Sequence, residues 1–513
     1  MIILWLILAL SALLYWLHRA NKDYHILSFF TKRIRLKDGT PVEIIAPIAK
    51  GKTIFGNTLD LYGRDHAGVF NYSRERAKEM GTSYIEYVFG KAIYNIIDAD
   101  SAENVLNHPN LITKGLVYNF LHPFLRTGLL TSTGKKWHAR RKMLTPTFHF
   151  NILNQFQEIF KTESQKFLLQ FEGQDEVTIT LHDVIPRFTL NSICETAMGV
   201  KLDEMAEKGD RYRENFSQIE ECFIRRLSNP LLWGDKLFEM FAAKDFASAL
   251  DVVHRFSSEI IAKRRDLLKD ELDKSSSTAD DDGFVSKKRF AMLDTLIYAE
   301  KDGLIDHIGI CEEVDTLMFE GYDTTSIGLI FGLMNMSLNP DKQELCYQEI
   351  QEHIDDDLSN LDVGQLNKLK YLEYFMKETT RLFPSVPIMG REAVQETELA
   401  NGLILPKGAQ ITIHVFDIHR NAKYWDSPEE FRPERFLPEN VQDRHTYAYV
   451  PFSAGQRNCI GKKYAMQEMK TLMVVLLKQF KVLKAIDPQK IVFHTGITLR
   501  TQDKIRVKLV RRT

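Results

Sequence analysis

One stretch restricts the fold of this chain more than any other. Between residues 306 and 338, apolar side chains recur on every side of a helical wheel, and Pro340 stands just past the end. A helix that is apolar around its circumference belongs in an interior. At ~1.5 Å per residue it runs on the order of 50 Å, so a large share of the chain has to pack around it. The expected fold is mainly α with small β-sheets. Apolar residues at three- and four-residue spacing predict further helices over 151–172, 189–198, 245–274, 343–354 and 369–382. Strand patterns are short: 409–415, 505–510, and an early pair at 42–45 and 92–97. A Ser/Thr run followed by three aspartates, at 274–283, is expected to be a surface loop between helices.

The N-terminus sets a second limit. Residues 1–17 carry no charged side chain, which is the shortest apolar run that spans about 30 Å of hydrocarbon. Basic residues follow it: Arg19 and Lys22, then Lys32, Arg33, Arg35 and Lys37. No basic segment precedes the run and no small-residue cleavage site follows, which argues against a removed signal peptide. The expected organisation is a signal-anchor helix at 1–17, a linker and hinge at 18–50 containing Pro41 and Pro47, and one domain at 51–513 left in the cytosol by the positive-inside rule. The five cysteines are scattered, without zinc-type spacing, as in a reduced protein. A net charge of −2 gives no basic field for nucleic acid.

Residues 451–461 read PFSAGQRNCIG, with a helical pattern from Tyr464 onward. A cysteine just before a helix start meets free N–H donors and the positive end of the dipole, both of which favour thiolate. Gly455 and Gly461 allow the backbone to turn and approach a flat ligand. Phe452 is placed to cover the sulfur, and Arg457 offers a charge-assisted bond to a carboxylate. The pattern Phe452-x-x-Gly455-x-Arg457-x-Cys459-x-Gly461 resembles the haem-binding loop of the cytochrome P-450 superfamily. The resemblance implies haem b (iron protoporphyrin IX), Cys459 as the axial iron ligand and Arg457 on a haem propionate. A thiolate ligand pushes electron density onto iron and favours O–O cleavage.

Other places agree. Glu378-x-x-Arg381 puts both residues on one face of a helix; the resemblance implies a buried triad with Arg435. Trp137 and Arg141 resemble the family's W-x-x-x-R helix, and Arg391 looks like another propionate partner. In the long apolar stretch, Glu320, Gly321, Asp323 and Thr324 are polar or small insertions. Thr324 can bond back to a carbonyl of its own helix. The resemblance implies an acid–threonine pair, with Thr324 at the oxygen site and Asp323 relaying protons. The same stretch is similar to family four of the superfamily, which includes fatty-acid ω-hydroxylases, and the motifs look like those of insect members. Leu317 stands where a Phe is usual and Tyr322 where a His is usual. In many members of that branch the residue matching Glu320 is esterified to the haem.

The expected activity is insertion of one oxygen atom from O2 into an apolar substrate: a fatty acid, a hormone-like lipid or a foreign compound. Residues 117–130 are suited to lining an apolar pocket, 216–233 to meeting a bilayer, and 496–499 to closing the pocket. No dinucleotide fingerprint is present, so electrons are expected from NADPH through a separate flavoprotein reductase, with cytochrome b5 as a further candidate partner. Lys135, Lys136, Arg140, Lys142, Lys462 and Lys463 form a candidate docking patch. The expected location is the endoplasmic reticulum membrane. Two alternatives stay open: a haem-thiolate isomerase or dehydratase acting on peroxides, and a non-enzymatic haem- or lipid-binding membrane protein.

Overall fold

The computed structural model describes residues 2–20, 32–51, 56–88, 90–277, 291–485, 487 and 490–512. The helices that frame its interior are α1 (Ile2–Ala20), α2 (Gly134–Leu144), α3 (Phe150–Leu169), α4 (Leu181–Thr196), α5 (Ala206–Ser228), α6 (Asp235–Ser277), α7 (His307–Leu338), α8 (Lys370–Leu382) and α9 (Lys462–Gln479). The longest apolar stretch is α7. Asp306 caps it by accepting the Gly309 N–H at 2.7 Å, and nearly every side chain along it is buried. Its first half packs in a cluster with α2, α4, α5 and α6 residues such as Trp137, Ile193, Phe216 and Phe256, and its second half with α8 and α9 residues such as Phe375 and Leu472.

The sheets are small and peripheral. Strands β1 (Tyr84–Val88), β2 (Lys91–Ile96), β4 (Met389–Glu392) and β5 (Gln410–Ile413) form one sheet in the order β1-β2-β5-β4, parallel only between β2 and β5, where Ile93 pairs Gln410. Strands β3 (Glu176–Thr180), β6 (Phe480–Lys484) and β9 (Arg506–Arg511) form a second in the order β3-β9-β6. Strands β7 (Phe493–Thr495) and β8 (Leu499–Thr501) make a hairpin, and Arg35–Leu36 joins a third small sheet with Leu403–Leu405.

Several expectations need correction. The run at 42–45 is not a strand but a 3-10 turn, Val42–Ile44, entered from Pro41; Ala92 and its neighbours pair instead with β1. Helix α4 starts eight residues before the expected 189, because the ring of Pro186 removes only one early bond. Helix α6 continues through Ser277, so the expected loop begins later than 274, and 278–283 lie outside the described residues. Lys22 of the basic flank also lies outside them. Residues 2–20 are helical, with Leu4, Trp5, Leu6 and Ile7 exposed. Among the described residues no helix is long and apolar enough to cross a membrane, so the expected spanning anchor is not supported.

Candidate active site

The cysteine loop, α2 and the middle of α7 meet at one cavity of about 210 Å³. Cys459 and Phe452 come from the loop, Trp137 and Arg141 from α2, and Glu320 and Thr324 from α7. The loop is held by its own backbone: the Cys459 N–H donates to the Phe452 carbonyl at 2.9 Å. Gly455 takes φ +67°, and a β-carbon there would collide with the Leu106 carbonyl. Gly461 lies at φ −91° and needs no such freedom. Cys459 stands open in the cavity. Burial and the Glu320 carboxylate push its thiol up to about 11, while the Gly461 N–H, Arg141 and Lys462 pull it down. The helix start therefore opposes burial, and a bound iron cation would add to the stabilisation of a thiolate.

Cations crowd one side. Arg457 donates to the carbonyls of Leu129, Leu130 and Ser132 at 3.3, 3.1 and 3.0 Å, and its guanidinium lies 4.7 Å from the Trp137 ring centre. Its Nε is buried without a partner among the described residues. Arg141 is tied to Asn458, donating to its carbonyl at 2.9 Å and its Oδ1 at 2.7 Å. Arg391 is fully buried, but it stands behind the cavity wall and donates to the Gly390 carbonyl at 2.9 Å. Lys114, which the sequence reading missed, lines the cavity with its ammonium 4.6 Å from the Tyr118 ring centre. Burial, with Arg391 and Arg457 close by, holds the Lys114 ammonium well below its ordinary range. Burial and Arg391 likewise lower Arg457, to about 9. No motif surrounds Lys114; only the fold brings it to Arg457.

On α7, the Thr324 hydroxyl donates to the Glu320 carbonyl at 2.6 Å, and Ser385 donates to the Thr324 carbonyl at 2.8 Å. Glu320 faces the cavity; burial raises its carboxyl, against Lys114, Arg457 and Arg141. Asp323 turns away from the cavity. It accepts from Arg500 Nη2 at 2.7 Å and from the Thr498 hydroxyl at 2.8 Å. Behind the cysteine loop, Arg381 makes a two-pronged pair with Glu378 at 2.7 and 2.9 Å, and Arg435 Nε reaches Glu378 at 3.3 Å. Of the six candidate docking residues, Arg140 is buried between Glu312 and Glu313, and Lys136 is paired with Glu312 at 2.6 Å. Lys135, Lys142, Lys462 and Lys463 remain exposed. Of residues 117–130, Tyr118, Leu129 and Leu130 line the cavity, while Phe120 and Phe124 pack on Trp233 and Phe319 above α7.

The residues present fit a flat iron porphyrin bearing two carboxylates. An open cysteine and a helix whose Thr324 hydroxyl is bonded to its own backbone line one cavity, and the buried Arg457 with the part-buried Lys114 and Arg141 crowd its edge. Unpaired buried charge is costly, and an anionic edge relieves it.

Such a cavity in such a fold defines a haem-thiolate protein. The family model described as Cytochrome P450 matches residues 47–509. "Probable cytochrome P450 4p3" of Drosophila melanogaster is 76% identical over 100% of both chains, and "Probable cytochrome P450 4p2" of the same organism is 66% identical over 99% of each. "Cytochrome P450 4V2" of Homo sapiens is 38% identical over 82% of this chain and 80% of its own. The chain belongs to the cytochrome P450 family, with relatives in family four, and is a monooxygenase oxidoreductase that uses haem iron and O2. This sets aside the isomerase and the non-enzymatic alternatives.

Proposed function

We propose that the protein hydroxylates a fatty-acid-like substrate at a haem b whose iron the Cys459 sulfur would hold. The observation that carries this reading is the single cavity shared by Cys459 and the Glu320–Thr324 turn of α7. The haem supplies the redox chemistry by which one atom of O2 enters a C–H bond. The protein's own residues do the rest. Arg457, Arg141 and Lys114 hold the porphyrin carboxylates, Arg391 adds charge from behind, and Trp137 backs the Arg457 guanidinium. Phe452 shields the sulfur. The Thr324 hydroxyl holds a proton at the cavity wall, and Asp323 resupplies it through the network it shares with Arg500 and Thr498. Glu320, which lines the cavity, would be esterified to a haem methyl group in an early turnover, O2 and two electrons from the reductase oxidising the methyl C–H and leaving as water; the ester would remove a buried charge. Glu378, Arg381 and Arg435 lock the ground behind the cysteine loop.

Electrons come from NADPH through a separate reductase docking on exposed Lys135, Lys142, Lys462 and Lys463, with cytochrome b5 as a second donor. The organisation is an N-terminal helix that lies against the bilayer without spanning it, a linker and hinge at 18–50 and the haem-thiolate domain at 51–513, seated on the cytosolic face of the endoplasmic reticulum. Exposed Leu4, Trp5, Leu6 and Ile7 on α1, with Leu231, Met240 and Phe241 near the start of α6, supply apolar surface for the bilayer.

Turnover by recombinant membranes with added reductase, NADPH and medium- or long-chain fatty acids tests the reading. Terminal hydroxy acids, identified by mass spectrometry, are expected. Absence of any oxidised fatty acid from a preparation with a sound thiolate carbon monoxide spectrum removes the substrate assignment and turns the search to hormone-like lipids and foreign compounds. Cys459→Ala abolishes that spectrum; an unchanged spectrum removes the ligand assignment.

A further inference from the structure

One guanidinium serves two carboxylates on different helices. Arg500, on β8, donates from Nη2 to Asp323 on α7 at 2.7 Å and from Nε to Glu220 on α5 at 3.0 Å. Both carboxylates also grip the turn between β7 and β8. Glu220 Oε1 accepts the Ile497 N–H at 3.0 Å, and Asp323 accepts the Thr498 hydroxyl at 2.8 Å. Gly496 has no room for a β-carbon against the Glu220 carboxylate. All three charged groups are buried or nearly so, with side-chain exposures of 16% for Arg500, 11% for Glu220 and 3% for Asp323.

We infer that Glu220 is a positioning residue: by competing for Arg500 it sets how readily Asp323 keeps a proton, and so ties proton supply to the seating of α5. This rests on the reading of Asp323 as the proton-relay acid. An undivided, charge-assisted contact to Arg500 would hold Asp323 ionised, as a carboxylate beside a guanidinium normally is. A second carboxylate on the same guanidinium takes part of that stabilisation and adds like charge. Burial acts in the same direction, raising Asp323 above its ordinary range. Tyr212, also on α5, and Tyr322 on α7 face the same carboxylate, and burial keeps both phenols neutral. His182 on α4 and His494 on β7 face Arg500; burial lowers both, His182 to about 4, and leaves them uncharged near neutral pH. Glu220 is therefore the charge left to divide Arg500. Movement of α5 away from α7 withdraws Glu220 and returns Arg500 to Asp323.

Infrared pH titration of the holoprotein tests this without turnover. The Asp323 carboxylic-acid band is identified by its loss in Asp323→Asn. In Glu220→Gln, which keeps an acceptor for Ile497, the midpoint of that band falls by about one pH unit. A midpoint that stays or rises overturns the inference. Should Glu220→Gln fail to retain haem, Glu220→Asp carries the test, because the shorter side chain draws the carboxylate back from Arg500 and the Asp323 midpoint falls; a midpoint that stays or rises there overturns the inference too. The relay reading fails separately, when Asp323→Asn leaves the yield of product per NADPH unchanged.

Discussion

Glu313 and Arg457 meet on one residue. Glu313 Oε2, on α7, accepts the Leu129 N–H at 3.0 Å, and Arg457 Nη1, in the cysteine loop, donates to the Leu129 carbonyl at 3.3 Å. The distal helix and the proximal loop thereby hold the same strip of backbone. Glu313 is fully buried; its Oε1 has no hydrogen-bond partner among the described residues, though Arg140 lies 3.7 Å away. Burial raises the carboxyl to about 7, against the Leu129 N–H and Arg140. Its ordinary value is 4.5, so the sign is fixed. Below about pH 4.5 the group is neutral folded or unfolded. As pH rises from there towards 7 the unfolded chain ionises first, and folding loses up to about 3 kcal/mol before levelling off. Glu313→Gln removes that loss. Denaturant midpoints at pH 5 and pH 8 should show a smaller drop in the variant than in the parent; an equal drop shows that Glu313 does not titrate between them.

The glycines of the cysteine loop are not equivalent. Gly455→Ala places a side chain at φ +67° and against the Leu106 carbonyl. The conformation alone costs ~1–2 kcal/mol, and the collision displaces the loop that carries Cys459. Gly461→Ala meets only Phe148 at 3.9 Å and the Cys459 sulfur at 4.0 Å. Thermal unfolding should separate the two, with a clear loss for Gly455→Ala and near-parental stability for Gly461→Ala.

Glu378 neutralises charge that nothing else reaches. Besides Arg381 and Arg435 it accepts the Arg432 N–H at 2.8 Å, and both Glu378 and Arg381 are fully buried. Glu378→Ala leaves Arg381 as a buried cation with no counter-charge in hydrogen-bond reach, retaining the His419, Pro428 and Glu430 carbonyls and the Trp425 ring face at 4.9 Å. Breaking one side of such a pair costs about 3–5 kcal/mol. Urea denaturation should register that loss; a change below about 1 kcal/mol would mean that solvent reaches the site as it reaches a surface pair.

What the sequence disclosed follows from locality. Helix α7 was legible because its apolar pattern is continuous, and the cysteine loop because its residues lie within a short run. The Glu378–Arg381 pair was legible because three-residue spacing puts both on one helical face. Contacts across the chain left no local trace. Arg500 lies 177 residues from Asp323, and Lys114 sits in an unremarkable stretch. Arg140 read as a surface cation because neighbouring residues are basic, yet Glu312 and Glu313 bury it. Short apolar runs misled in the opposite direction: Val42–Ile44, bounded by Pro41 and Pro47, has strand composition but turns.

Glu320 gives the most specific test of the family-four reading. Its carboxyl lines the cavity, is raised by burial, and faces Lys114, Arg457 and Arg141 as partners for its charge. Conversion to an ester trades those attractions for removal of a buried anion, and leaves the cations free for the porphyrin carboxylates. Tyr322, two positions on, is packed against Phe216 at 5.5 Å and Tyr212 at 5.8 Å and is buried, so it fixes the helix face that presents Glu320. The parent protein should hold its haem through acidified organic solvent, and Glu320→Ala should release it, with chromatography and mass spectrometry reading the haem and the intact chain. Complete extraction from the parent protein would mean that Glu320 stays a free acid, and the Lys114 and Arg457 charges would then have it as a standing partner.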